Sequence, residues 1–174
     1  MPLIKDGQLH EDLWRHLDDD DALPGPEDKA DGAAVTVSLA RWERNETELH
    51  DWNGRLGLRL DAGQLAEQVG AAAGRFDLIT VAFPAFTDGR GFSTARLLRG
   101  RYGYKGELRA TGQVIRDQFF FLHRVGFDTI EVRDAALAAQ WTEALTEVSV
   151  VYQPSNDRRM TIPGARWQAR EAAE

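Results

Sequence analysis

The sequence predicts an α/β fold: an open three-layer sheet, mainly parallel, of about five βα units, with a partial TIM-like barrel as the alternative. Three observations predict it. Short β-branched or leucine-rich runs recur at 35–39, 56–60, 78–82, 107–110 and 129–132. Stretches with apolar residues at helical spacing lie between and after them. Glycine follows three of the helical stretches, at Gly74, Gly103 and Gly126, where a left-handed residue ends a helix before the next strand. Strands joined through helices pair in parallel, with right-handed connections and both faces of the sheet covered. About five such units are too few for a closed eight-stranded barrel, which takes roughly 200 residues or more.

In chain order, residues 1–32 have the composition of an acidic extension. Asp18-Asp19-Asp20-Asp21 repel one another and Pro24-Gly25-Pro26 resists packing. Leu13, Trp14 and Leu17 can dock one short turn, so the expectation is a solvated linker anchored by a single tryptophan. The α/β domain is expected over 33–152. Its first strand leads into an irregular or short helical crossover from Trp42 to Asn53, ending at Gly54. After the second strand, Asp61 is a fair helix cap, and Leu65, Ala66, Val69 and Ala73 fall on one helical face. Later helices are expected at 93–102, 113–124 and 135–147, the last with a stripe of Leu137, Trp141, Leu145 and Val148. An extended piece, Val150-Val151-Tyr152, precedes a polar tail over 153–174.

Composition limits the function. Hydrophobic residues at 43% and charged residues at 28% of 174 are ordinary for one globular domain. The net charge of -7 works against binding nucleic acid with the whole surface. No apolar run is long enough for a bilayer and the amino terminus lacks a signal-peptide core, so a cytoplasmic location is expected. With no cysteine in the sequence, disulfides, thiolate catalysis and cysteine-ligated clusters are excluded from this chain. The histidines are dispersed without a ligand spacing, so no metal is expected. Gly89-x-Gly91-x-x-Thr94 approaches the dinucleotide fingerprint but lies too far from its strand, and the acid about 20 residues later begins a strand instead of ending one. There is no P-loop and no nucleophile elbow around Ser93.

The loops that follow parallel strands are where α/β ligands bind. They are expected at Phe83 to Gly91, Thr111-Gly112 and Arg133-Asp134. The first carries Asp88, Gly89, Arg90 and Gly91, and leads to Ser93 at a helix start whose free amides favour an anion. Arg96 and Arg99 follow one turn apart, and Arg109 and Thr111 near the end of the next strand, with Asp117 beyond. Convergent arginines bind phosphate, sulfate or carboxylate. The same residues are equally able to serve structure, with Asp88 capping the helix and Arg109 paired to Asp88 or Asp117. In Phe119-Phe120-Phe121 successive side chains rotate about 100°, so at least one cannot face the sheet. Phe120 and Phe121 are candidates for burial under a terminal segment or for a partner interface.

The runs Phe83-Pro84-x-Phe86-x-Asp88-Gly89-Arg90, Ser93-x-Ala95-Arg96-Leu97-Leu98-Arg99, Gly106-Glu107-Leu108-Arg109-Ala110-Thr111-Gly112, Asp117-Gln118 and Gly126-Phe127 occur in order. Together with Leu39-Ala40-Arg41-Trp42 they resemble a bacterial family of unknown-function domains commonly encoded beside assimilatory sulfite reductase and phosphoadenylyl-sulfate reductase. The resemblance runs roughly from Val35 to Val132. It implies a cytoplasmic role in sulfur assimilation, with sirohaem and an iron–sulfur cluster belonging to a partner, and it carries over no catalytic residues. Two functions follow as expectations. One is an accessory or small subunit that contacts the sulfite reductase catalytic subunit or docks its electron donor. The other is a small enzyme that binds an anionic sulfur or phosphate compound through Arg90, Arg96 and Arg109, with Asp88 or Asp117 moving a proton.

Overall fold

The computed structural model describes residues 1–24, 33–135, 138–157 and 159–171. Its strands are β1 (Leu3–Lys5), β2 (Gln8–His10), β3 (Arg15–His16), β4 (Ala34–Ser38), β5 (Arg55–Leu60), β6 (Leu78–Phe83), β7 (Glu107–Gly112) and β8 (Thr129–Glu131). They form one sheet in the order β2-β1-β8-β7-β6-β5-β4-β3, curled into a half-barrel. From β3 to β8 all neighbours are parallel, and β1 and β2 are added antiparallel at the β8 edge.

The amino-terminal segment therefore supplies both edges of the sheet. A flat sheet with strands about 4.8 Å apart would separate its outermost strands by roughly 34 Å. The five steps from His10 to Arg15 reach at most about 18 Å. Curling brings the two edges close enough for residues 11–14 to cross the concave side as a strap. Here the structure departs from the expected acidic extension. Leu17 is fully buried, and Trp14 is buried against Gly57 of β5, with Arg55 stacked 4.7 Å from the Trp14 ring. The acidic run is held largely through its backbone: Arg41 donates to the carbonyls of Asp18 and Asp21 and Arg44 to that of Asp19, Arg59 donates to the carbonyl of Leu17 just before it, and the Asp19 carboxylate accepts from the Ser38 hydroxyl. Pro26 and its neighbours fall outside the described residues.

The strands alternate, which divides the sheet into two unlike faces. Val35, Val37, Leu56, Leu58, Leu60, Ile79, Val81, Phe83, Leu108, Ala110 and Ile130 belong to one continuous apolar core with buried residues of the helices. The helices are α1 (Leu39–Arg44), α2 (Glu46–His50), α3 (Ala66–Val69), α4 (Arg90–Gly100), α5 (Phe119–Val125), α6 (Ala138–Glu147) and α7 (Ile162–Glu171). The opposite, concave face carries Thr36, Arg59, Thr80, Glu107, Arg109 and Thr129 by the same alternation, and the strap covers it where a second helical layer was expected. The curled sheet fits the partial-barrel alternative.

Local details follow the residue chemistry. Gly103 and Gly126 have positive φ as expected, and Gly126 receives α5 in the left-handed conformation. The earlier helix ends at Gly70, not Gly74: α3 stops there and a 3-10 turn continues over Gly70–Arg75. The helix expected from Gln113 is a 3-10 turn over Arg116–Gln118 followed by α5. Leu137 of the expected α6 stripe lies outside the described residues, while Trp141 is buried edge-on to Phe119 at 5.5 Å. The tail is partly attached: Ser155 and Asn156 donate to the last carbonyls of α5, and Asp157 pairs with Arg124 at 2.9 Å. α7 buries none of its side chains.

Candidate functional site

The loop after β6 folds back on its own charges. Asp88 accepts from the backbone N–H of Arg90 at 3.1 Å, and its carboxylate pairs with the Arg90 guanidinium at 2.6 Å. These hydrogen bonds from the Arg90 side chain and amide hold the Asp88 carboxyl down to about 2. The anion at the start of α4 is thus the chain's own. Gly91 lets the Phe83 ring approach, since a Cβ there would lie 2.5 Å from it. Ser93 is exposed on the same turn, and Arg96 is exposed with no hydrogen bond or ion pair among the described residues.

The other expected cations lie elsewhere. Arg99 sits at the amino ends of β7 and β8, where it donates to the carbonyls of Tyr104, Gly106 and Gly126 and pairs with Asp128 at 2.5 Å. Three residues bring Arg96 and Arg99 onto one side of α4, but the helix carries Arg99 a further turn from the rim. Arg116 donates to the carbonyl of Gln140 and pairs with Glu147, leaving Asp117 exposed at 3.9 Å. Thr111 is half-buried beside Ala82 near the end of β7. The structure gathers Asp88 and Gly89 at the end of the loop with Arg90, Gly91 and Ser93 in the first turn of α4, and does not bring Arg99 or Arg109 to them.

Arg109 points into the concave face, and its side chain is only 3% exposed. Nη1 donates to Asp12 of the strap at 2.9 Å, while Nε and Nη2 donate to Glu107 two residues back on the same face. Asp12 continues the network to His16 Nε2 at 3.3 Å, and His16 Nδ1 is 2.7 Å from the Thr36 hydroxyl, which also accepts from Arg59 at 2.8 Å. Burial opposes ionisation of Asp12, but hydrogen bonds from Arg109 and the Trp14 amide, with the charges of Arg109 and His16, bring its carboxyl below the usual value. Burial lowers Arg59 against the pull of Asp18, Asp61 and Asp19. Beside Arg109 is a cleft of about 200 Å³ lined by Lys5, His10, Glu11, Arg55, Glu107 and Thr129, among others. The buried Thr129 hydroxyl has no hydrogen-bond partner among the described residues. Sequence reasoning missed Lys5, Asp12 and His16, because a net-acidic leader carries no sign of a sheet edge, and it placed Thr129 in a strand without a way to tell which face its hydroxyl meets.

The rim has a second, apolar character. Phe86, Ile115 and Phe121 are 55%, 41% and 54% exposed. Gln118 fixes the first two relative to each other, donating from Nε2 to the Phe86 carbonyl at 2.7 Å and accepting from the Ile115 amide at 3.2 Å. Phe121 follows one turn later on α5. Of the consecutive phenylalanines, Phe119 and Phe120 are buried, with Phe120 beneath Arg124 and Arg159 of the carboxyl-terminal segment at 5.7 and 5.2 Å. Among the described residues no group of three or more His, Asp or Glu is placed to hold a metal ion, and no helix is long and apolar enough to cross a membrane.

The family model of a bacterial protein of unknown function, DUF934, matches residues 57–162, more than half of the chain. The chain belongs to that family. No curated protein matches it. The DUF934 span contains the rim loop, β6 to β8, Arg109 and the apolar cluster of Phe86, Ile115 and Phe121. The strap with Asp12, Trp14 and His16 precedes it.

Proposed function

We propose that this protein is an accessory subunit of an assimilatory sulfite reductase system in the cytoplasm, acting by protein–protein contact through the rim at Phe86, Ile115 and Phe121. The observation that carries the reading is this trio of exposed apolar side chains on a frame tied by Gln118, beside a loop whose Arg90 is already paired. Exposed aromatic groups on a rigid support are what an interface core uses. The partner comes from the sequence resemblance: the catalytic subunit of sulfite reductase, which would hold sirohaem and the iron–sulfur cluster, and its electron donor. The small-enzyme alternative called for Arg90, Arg96 and Arg109 to converge on one anion; Arg109 is engaged with Asp12 and Glu107 on the concave face and Arg90 with Asp88, which favours the accessory reading.

Co-purification with the sulfite reductase catalytic subunit tests the reading. The double variant Phe86→Ser/Phe121→Ser is expected to keep the wild-type melting temperature, lose capture of the subunit, and slow growth with sulfite as sole sulfur source. Capture and growth equal to wild type would overturn the assignment of this rim. Failure of the wild-type protein itself to capture the subunit would overturn the accessory role.

A further inference from the structure

We propose that the cleft under the amino-terminal strap is a binding site for a small carboxylate ligand, seated on Arg109 in the position that the Asp12 carboxylate holds in the closed structure. Arg109 is a buried cation whose guanidinium already presents Nη1 to a carboxylate oxygen at 2.9 Å. Nε and Nη2 are engaged by Glu107, so Nη1 is the donor that a ligand carboxylate oxygen would take over, as one charge-assisted hydrogen bond. Thr129 lies directly opposite Arg109 across β7 and β8, and its buried hydroxyl lacks a partner among the described residues. Buried hydroxyls are ordinarily satisfied, so one left open on the cleft wall indicates a missing acceptor or donor.

Charge selects the ligand. With Asp12 set aside, the cleft has Lys5, Arg55 and Arg109 against Glu11 and Glu107, with His10 at its edge. That small positive excess suits one carboxylate and is over-neutralised by a phosphate dianion. A cleft of about 200 Å³ also limits the ligand to a short-chain acid. The strap is built to yield there: residues 11–14 make no strand pairing, and Asp12 is held by side-chain contacts to Arg109 and His16 and by the Trp14 amide. An entering acid exchanges one carboxylate for another on Arg109 and adds a partner for Thr129. Asp12 is then an internal competitor that sets the affinity.

The test is titration of the full-length protein with sodium acetate, sodium succinate and sodium phosphate at constant ionic strength, followed by backbone and arginine-side-chain NMR. Removing the competitor by Asp12→Ala is expected to tighten acetate binding by about tenfold or more, the worth of one charge-assisted hydrogen bond. Arg109→Gln in that background should abolish saturation, and Thr129→Val should weaken binding. If Asp12→Ala does not fold, Asp12→Asn keeps the shape and makes the same comparison. Equal binding by wild type and the Asp12 variants, binding that survives Arg109→Gln, or phosphate binding tighter than both acids would each overturn the proposal.

Discussion

Replacing Arg109 by Met tests the concave network most directly. The guanidinium is buried, and its removal leaves Asp12 and Glu107 facing each other across the space it filled. Breaking a buried pair by deleting one partner costs about 3–5 kcal/mol, chiefly because the remaining charge is left uncompensated. Asp12 and Glu107 are 13% and 17% exposed, so water reaches them and the cost belongs at the lower end. A loss of about 3 kcal/mol lowers the melting temperature of a protein this size by roughly 6–12 °C. Thermal denaturation followed by circular dichroism at pH 7 reads this. Adding Asp12→Asn to Arg109→Met should recover part of the loss, because one of the two orphaned carboxylates becomes neutral and the sites are coupled. The pH dependence has a definite sign. The Asp12 carboxyl lies below its ordinary 3.8 in the folded protein. Its contribution is therefore complete above that value and disappears as the pH falls below it. The stability gap between wild type and Asp12→Asn should narrow through that acid range. A melting temperature for Arg109→Met within about 2 °C of wild type would refute the reasoning, since one kcal/mol alone moves it that far.

Three further outcomes are expected. Leu17→Ala should cost about 2–5 kcal/mol in urea denaturation, as a truncated core leucine does, whereas a solvated extension would register no change. Gly112→Ala should destabilise by more than about 1 kcal/mol, because the backbone there has positive φ and a Cβ would lie 2.5 Å from the Phe83 carbonyl oxygen. By carboxyl-carbon NMR, Asp88 should titrate at about 2, and Arg90→Ala should return it toward 3.8. That pair stabilises the loop at neutral pH and releases it as the pH falls toward 2, so a wild-type midpoint near the ordinary value would contradict the contact.

The βα units were legible because local pattern determines them. Val35, Leu58, Ile79 and Ala110 sit in short runs bounded by turn residues, and Gly103 and Gly126 end their helices by a conformational need visible in one residue. The two-faced character of the sheet was present in Arg55-Leu56-Gly57-Leu58-Arg59-Leu60, but a parallel strand is expected to be apolar on both sides, which hid the alternation. The amino-terminal strands escaped because they are two or three residues long, and β1 is held in the sheet by β8, more than 120 residues along the chain. The attachment of the acidic run escaped for a different reason: Arg41 and Arg44 bind its carbonyls, and a backbone acceptor has no sequence signature. At the rim, the loop itself was located, but the destination of each arginine depended on partners such as Asp128 and Asp12, 29 residues downstream and 97 upstream of Arg99 and Arg109 respectively. Helix geometry alone required at least one of Phe119, Phe120 and Phe121 to turn from the sheet; that it is Phe121, while the other candidate Phe120 is buried, depended on the carboxyl-terminal segment packing there.

Because Leu3 lies opposite Glu131, β1 can be seated only after β8, 128 residues further along the chain, has been synthesised. Synthesis proceeds at about 5–20 residues per second, so the leader spends many seconds without its berth. β3 precedes β4 and can cover it as soon as β4 is made, so the growing border of the sheet is the one left unguarded, ending at β8 until β1 pairs with it. Four consecutive aspartates lie close to that waiting strand in the sequence, and like charges of this kind oppose association between nascent copies.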